Sequence, residues 1–432
     1  MKLKKTSTLL LAGAMSLSLM TSCGASEYKF NTKAESIKLD SGSYSAYKNQ
    51  LIKFNGEETK YEDWLSYESP YDEYIPLVYA DDSGNYDIDQ TVAFAIRYAY
   101  ENDMEYIEFP AEYGSSDILK GWEYAGLSFP DLPVATASCE MELKDNGYYM
   151  INLSDTVRKT AEKSDEVIAE AKKIVDAIPE DLKTDADKAY YLYDWVCQNV
   201  GYDEYHANNT DSKNNSSQSV YGAIVEQRAV CDGIASAVQL LFNMADIKCG
   251  KVYGYNPGGG HVWNYAVIDG ETWDFDATWD IDNSYLSESD ELTGSTGNML
   301  GFYGFFGTSR SVKTRNGYSL SESCTFETPA TTDAFSEKSP CLKVYDISIS
   351  CDNQTGERAI YKDGKKIAGN DFKVSSLKDM MSPSTELRII INTPQEIPSL
   401  YSAALMSDTL KADPNTSGYD ITMGCIVLTQ KS

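Results

Sequence analysis

The sequence predicts an α+β protein of several domains, and three observations predict it. Apolar residues recur at helical spacing in three long stretches of the central part of the chain. Two alternating segments joined by Asp269-Gly270 read as an antiparallel hairpin. Beyond Pro340 the pattern changes to short strand-like runs. At 432 residues the chain is too long for one hydrophobic core. The composition divides it into a leader (1–23), an N-terminal α+β domain (24–153), a central domain (154–320), a Ser/Thr/Pro-rich linker (321–340) and a small β-rich domain (341–432), for which a sandwich is expected.

The leader places Lys2, Lys4 and Lys5 before an apolar run from Leu9 to Met20, followed by Thr21, Ser22 and Cys23. Such a run is too short to span a bilayer and reads as a secretory signal. Ending on a cysteine after small residues, it resembles the lipobox of bacterial lipoproteins. The resemblance implies acylation of Cys23, an extracytoplasmic location and attachment to the membrane through a lipid anchor. No later stretch approaches 18 apolar residues.

With 37 basic and 66 acidic residues the formal charge is −29. A surface of that sign repels phosphate backbones, so nucleic acid is excluded as a partner. The nine cysteines include no CxxC pair and there are only two histidines, so the spacing expected of a zinc site is absent and no metal or cofactor is expected. Setting Cys23 and Cys231 aside leaves an odd number, so the chain is not a disulfide scaffold. If Leu342–Ser350 is one strand, Cys341 and Cys351 stand about 30 Å apart, beyond any disulfide.

In the N-terminal domain, Asp89–Asn102 places Val92, Ile96 and Ala99 on one helical stripe. Met104–Phe109 reads as a strand, and Cys139–Leu143 with Tyr148–Leu153 as a hairpin around Asp145, Asn146 and Gly147. Two amphipathic helices follow: Ser154–Ile178, stopped by Pro179, and Thr184–Val200, capped by Thr184 or Asp185 and burying Ala189, Leu192, Val196 and Val200. Asn208–Ser219 is polar and reads as an exposed loop. In the last domain the strand candidates are Leu342–Ser350, Arg358–Ile367 with an Asp363-Gly364 turn, Leu387–Asn392 and Ile421–Thr429.

Chemistry concentrates between these elements. Cys231 directly precedes a helix whose stripe is Ile234, Val238, Leu241 and Ala245, and unpaired N–H groups at a helix N-terminus favour a thiolate and a developing oxyanion. A cysteine there is more often a packed core residue unless a base accompanies it. Of the two histidines, His206 lies in a loop and reads as a surface residue, whereas His261 opens the alternating segment that runs to Ile268. A two-residue turn at Asp269-Gly270 pairs Ile268 with Glu271 and, carried to the end, sets His261 opposite Thr278. Asp276 and Asp280 are then both diagonal neighbours of His261 on its face, and the hairpin alone does not choose between them. Asp274 pairs with Tyr265 and lies about 13 Å further along, the poorer partner.

The residues Ala229-Val-Cys-Asp-Gly-Ile-Ala235, His261-Val-Trp-Asn264, Ile268-Asp-Gly270 and Phe275-Asp-Ala-Thr-Trp-Asp280, preceded by Tyr202-Asp203 and Tyr221-Gly222, resemble the core motifs of the bacterial transglutaminase-like superfamily. The resemblance covers about Asp185 to Asp280. It implies a papain-like core in which a central helix beginning at the nucleophile packs on an antiparallel sheet, and a triad of Cys231, His261 and Asp276. Gln227-Arg228 and Ile234 depart from the usual pattern at the cleft wall and leave substrate preference open. Trp263 and Trp279 flank the triad and read first as core. The chemistry implied is acyl transfer through a Cys231 thioester, with His261 moving the proton and Asp276 fixing its tautomer. Peptide or isopeptide hydrolysis of a protein, peptide or cell-wall peptide substrate is the first expectation. A protein-crosslinking transglutaminase and a non-catalytic surface scaffold are the alternatives.

Overall fold

The protein's structure, a computed structural model, describes residues 51–59, 88–132, 141–153, 160–208, 216–281, 285–286, 292–293, 303–315, 317–320, 337–351, 355–421 and 424–431. The leader and Cys23 lie outside the described residues.

The first layer contains β1 (Ile52–Phe54), β2 (Glu57–Thr59), α1 (Ile88–Glu101), β3 (Tyr106–Pro110), α2 (Ser115–Ser128), β4 (Met141–Leu143) and β5 (Tyr148–Asn152). Its strands form one antiparallel sheet in the order β2-β1-β3-β5-β4. The expected stripe of Val92, Ile96 and Ala99 is fully buried on α1. Helix α2 has no counterpart in the sequence reading. Gly121 and Gly126 punctuate it and look like breakers, yet both are buried where α2 packs on α1. Tertiary burial overrides the weak local propensity.

The central domain runs through α3 (Thr160–Asp176), α4 (Asp185–Asn199), β6 (Gly201–Tyr202), α5 (Glu204–Asn208), α6 (Val220–Ile224), β7 (Arg228–Ala229) and α7 (Cys231–Met244). It continues with β8 (Cys249–Asn256), β9 (Gly259–Ile268), β10 (Glu271–Phe275), α8 (Ala277–Asp280), β11 (Tyr285–Leu286), β12 (Leu292–Thr293), α9 (Arg310–Arg315) and β13 (Ser319–Leu320). Thr184 starts α4 with a capping box: its hydroxyl accepts the Asp187 N–H at 3.2 Å and the Asp187 carboxylate accepts the Thr184 N–H at 3.4 Å. Helix α7 carries more than the one expected stripe. Every residue from Cys231 to Phe242 is buried, because α3, α4 and α6 cover the sides that β8 and β9 do not. Two four-stranded sheets have the orders β10-β9-β8-β13 and β12-β11-β6-β7. This is the α+β, papain-like arrangement of a buried helix on an antiparallel sheet. Strand β8, its longest partner for β9, was not recognised in the sequence.

The hairpin keeps the expected register, with Ile268 opposite Glu271 and Tyr265 opposite Asp274. Asp269 at φ 52° and Gly270 at φ 80° give both central turn residues the positive φ that a type I′ turn requires. The ladder does not reach Thr278. It stops at Phe275 opposite Asn264, and the chain turns into α8 after Asp276. The far edge of β10 is bound instead by the 305–308 segment, through mutual bonds between Asp274 and Thr308 and from the Asp276 N–H to the Phe305 carbonyl.

Among the described residues beyond 340 the strands form one six-stranded mixed sheet, where two facing sheets were expected. After α10 (Cys341–Val344) come β14 (Ile347–Cys351), β15 (Arg358–Lys362), β16 (Lys365–Ala368), α11 (Leu377–Met381), β17 (Glu386–Ile391), α12 (Ile397–Leu405), β18 (Gly418–Asp420) and β19 (Cys425–Thr429). The order is β16-β15-β14-β17-β19-β18, with β14 and β17 parallel. Helices α11 and α12 fill the role of the missing second sheet, packing Leu377, Met381, Ile397 and Ala404 on Ile347, Ile349, Ile389 and Leu428. The opposite face sets Ile390, Cys425 and Val427 against Leu342, Tyr345 and Val312 of α9, so this domain backs directly on the central one. Residues 337–340 of the expected linker belong to the same contact: Ser339 Oγ donates to the Gly307 carbonyl at 3.1 Å and Pro340 is buried.

Gly270→Val places a β-branched side chain at φ 80° with open space around it. The cost is therefore conformational, and we expect a loss of about 1–3 kcal/mol, read as a lower urea midpoint. A midpoint equal to the parent protein's would show that the turn does not constrain the hairpin.

Candidate active site

Three elements converge at the top of the β9–β10 hairpin. Helix α7 packs on β8 and β9 and begins with Cys231, which is buried. Its N-cap residue, Val230, makes no side-chain cap, so the first N–H groups of the helix are not consumed by one. Strand β9 carries His261, also buried. The turn from β10 into α8 carries Asp276, whose extended φ of −143° marks the end of the strand.

His261 Nε2 lies 2.9 Å from Asp276 Oδ2. With that nitrogen donating its proton to the carboxylate, Nδ1 keeps a lone pair and is the atom able to accept a proton. The two aspartates that the hairpin left open are thereby separated. Asp280 turns away from His261: its Oδ2 accepts from the Tyr193 hydroxyl at 2.6 Å and from the Phe305 N–H at 3.0 Å. Burial pushes its carboxyl pKa well above the usual carboxylate value. Asp274 is bound in bidentate fashion by Arg310, at 2.8 and 3.1 Å.

Asp276 has two partners that the sequence did not announce. Lys313 Nζ of α9 donates to the same Oδ2 at 2.9 Å, and the Tyr318 hydroxyl does so at 3.0 Å. Lys313 is wholly buried, with its ammonium 4.1 Å from the Tyr318 ring centre, 4.8 Å from Phe305 and 5.3 Å from Trp263. Burial alone would raise the Asp276 pKa, but the charges of His261 and Lys313 outweigh it and bring it down to about 2. A lysine in a short Arg/Lys-rich helix reads as a solvated charge, so no sequence signal pointed to this one. Trp263 stacks on His261 with ring centres 6.0 Å apart, while Trp279 packs against Phe305 one layer away.

His206 is not a surface residue. It is buried, its Nδ1 lies 2.7 Å from Asp203 Oδ2, and Asp203 also accepts from the Ser217 hydroxyl. The Asp203 N–H donates to the Ala229 carbonyl and the Val230 N–H to the Ser217 carbonyl, so this cluster braces the two residues ahead of Cys231. An aspartate three residues before a histidine, opening a short helix, was the available signal.

Cys231 is disulfide-bonded, its partner lying outside the described residues. Its sulfur is thus in the oxidised state here, and the thiolate expected from the sequence exists only after reduction. Cys197, Cys249, Cys341, Cys351 and Cys425 form no disulfide, so Cys341 and Cys351 are not joined.

Residues 172–276 match the Transglutaminase-like superfamily. The human Kyphoscoliosis peptidase is 24% identical over 118 residues, which are 24% of this chain and 17% of that protein. The mouse Kyphoscoliosis peptidase is 23% identical over the same length. The chain therefore spans under a fifth of these relatives. Among solved structures, the crystal structure of a TGase covers 41% of this chain and 51% of its own, at 18% identity and a TM-score of 0.24.

The depressed Asp276 pKa makes a statement about stability. A carboxylate lowered to about 2 in the folded state from an ordinary 3.8 stabilises the fold above the ordinary value, and that contribution is lost as pH falls through about 2. We expect unfolding free energies, measured with urea between pH 5 and about 2, to drop by on the order of 2 kcal/mol from this group. Asp276→Asn should be less stable at neutral pH, because it leaves the buried Lys313 without its anion, and should show a shallower acid slope. An unchanged slope would mean that Asp276 does not titrate in this window.

Proposed function

We propose that this protein is an extracytoplasmic, lipid-anchored thiol enzyme that transfers acyl groups through a thioester on Cys231, with peptide or isopeptide hydrolysis as its reaction. The observation that carries the reading is the His261–Asp276 pair, held on a hairpin against the helix that starts with Cys231, within the stretch matching the Transglutaminase-like superfamily. The peptidase named among the relatives supports hydrolysis as the outcome. Cys23 as the anchor rests on the leader's resemblance to a lipobox.

In the reduced protein the Cys231 sulfur gives its proton to His261 Nδ1 and attacks the acyl carbon, forming the C–S bond. Electrons of the carbonyl π bond move to oxygen, where the α7 N-terminal N–H groups favour the negative charge. Collapse of this intermediate expels the amine, which leaves with the proton held on His261. Water, deprotonated by the same imidazole, then releases the acid and regenerates the thiol. Throughout, Asp276 accepts a hydrogen bond from Nε2–H, remains a carboxylate and keeps Nδ1 directed to the exchange.

A non-catalytic surface scaffold is the second reading, favoured by the disulfide on Cys231. Reduction distinguishes the two. After treatment with a dithiol, a fluorogenic peptide library should be cleaved by the parent protein, and Cys231→Ala and His261→Ala should each lower the rate by at least about 10³-fold. Their combination should cost little more than either alone. Asp276→Asn should retain a folded chain of reduced stability with impaired turnover, whereas Asp280→Asn keeps the acceptor for Tyr193 and should be nearly silent. Full activity in Cys231→Ala, or none in the reduced parent on any acyl donor with water or amine as acceptor, would favour the scaffold. Cys23→Ser should move the protein from the membrane to the soluble fraction, and unchanged membrane retention would disprove the anchor.

A further inference from the structure

Asp276 Oδ2 receives three donors at once: His261 Nε2 at 2.9 Å, Lys313 Nζ at 2.9 Å and the Tyr318 hydroxyl at 3.0 Å. Its other oxygen, Oδ1, is buried and has no partner among the described residues. A Cys-His-Asp site needs an aspartate to orient the imidazole, but it does not need a cation on that aspartate. Burying an ammonium costs several kcal/mol unless its charge is matched, so the placement of Lys313 demands a return.

We propose that Lys313 is a positioning residue of this site: fixed on the oxygen that orients His261, its ammonium holds Asp276 in place and offsets its negative charge, so that the imidazole releases its proton more readily than beside an unopposed aspartate. Three lines of geometry support this. The ammonium and the imidazole share one acceptor atom, so the proton affinity of one is linked directly to the charge of the other. The aromatic faces of Trp263, Phe305 and Tyr318 close around Lys313, leaving no solvent to screen it. And the other charged groups nearby are already engaged: Asp274 with Arg310, Asp280 with Tyr193 and the Phe305 N–H, and Asp232 of α7 with Lys251 of β8 at 2.8 Å. The charges left to act on the imidazole are therefore those of the Asp276–Lys313 pair, with the Tyr318 hydroxyl as an uncharged donor to the same oxygen.

The functional consequence is a base that remains unprotonated, and so able to accept the Cys231 proton, further into acid than the carboxylate alone would allow. That consequence rests on the proposed thiol-enzyme reading, whereas the coupling of Lys313 to His261 does not, and the experiment reads the coupling itself.

The chain contains only two histidines, so 13Cε1-histidine labelling of the full-length protein yields two resonances. His206, bound to Asp203 in a separate cluster, is the internal reference. Under non-reducing conditions Cys231 remains in its disulfide and does not titrate against the imidazole. We expect Lys313→Met to raise the His261 titration midpoint by about one pH unit while leaving His206 in place, and Lys313→Arg, which restores a cation, to return it most of the way. A folded Lys313→Met protein with an unmoved His261 midpoint would show that Lys313 is merely structural and would overturn the proposal. Should Lys313→Met not fold, Tyr318→Phe carries the test. It removes one donor from the same oxygen and should move His261 in the same direction by a few tenths of a unit, and no movement there would overturn the proposal equally. Activity assays failing in every variant and in the parent would count against the enzyme reading and leave this coupling standing.

Discussion

The arrangement of the whole site depends on one buried carboxylate oxygen. Asp276 Oδ2 ties together three parts of the chain that are distant in sequence: the start of β9 through His261, α9 through Lys313 and the approach to β13 through Tyr318. A charge in an apolar interior is tolerable only when matched, and the match here is geometric as well as electrostatic. The segment from 303 to 320 accordingly cannot be an appendage. It supplies the edge partner of β10, the cation for Asp276 and two of the three aromatic rings, Phe305 and Tyr318, that enclose that cation.

This gives the C-terminal domain a physical task. In its sheet, Val427, Cys425 and Ile390 pack against Val312, the residue before Lys313. Tyr345, just before β14, donates its environment to the same junction, with its hydroxyl accepting the Tyr303 N–H. On the other flank, Gln239 Nε2 of α7 donates to the Leu127 carbonyl at 3.1 Å, and Leu127 packs with Ala235, Tyr253 and Val262. The two flanking domains thus hold α9 and α7, the elements that present Lys313 and Cys231.

The parts of this design that are local in sequence were legible in it. The α1 stripe, the Thr184 capping box, the start of α7 at Cys231 and the Asp269-Gly270 turn all depend on neighbours within a few residues, and the structure has them as expected. The hairpin register was legible for the same reason, but its length was not, because the strand ends where the 305–308 segment takes over the backbone of Asp274 and Asp276. The choice of Asp276 over Asp280 came from resemblance, not from the hairpin; in the structure it is Asp276 whose Oδ2 lies 2.9 Å from His261 Nε2. Lys313, the burial of His206 and the single C-terminal sheet were illegible because each depends on partners far away in the chain. A lysine near an arginine has the same local pattern on a wet face as in a sealed pocket. Helix α2 was missed because its two glycines look like interruptions, whereas both are buried within it.

Five cysteines among the described residues stand outside any disulfide, and the chemistry of three of them bears on the sixth, Cys231. Burial pushes the thiols of Cys197 and Cys249 well above the usual range and that of Cys341 up to about 11. Disulfide exchange proceeds through the thiolate, so these groups are poor attackers at neutral pH despite their number. None of these three thiols is therefore poised to attack the bond at Cys231, and an incoming dithiol acts on that bond without competition from them.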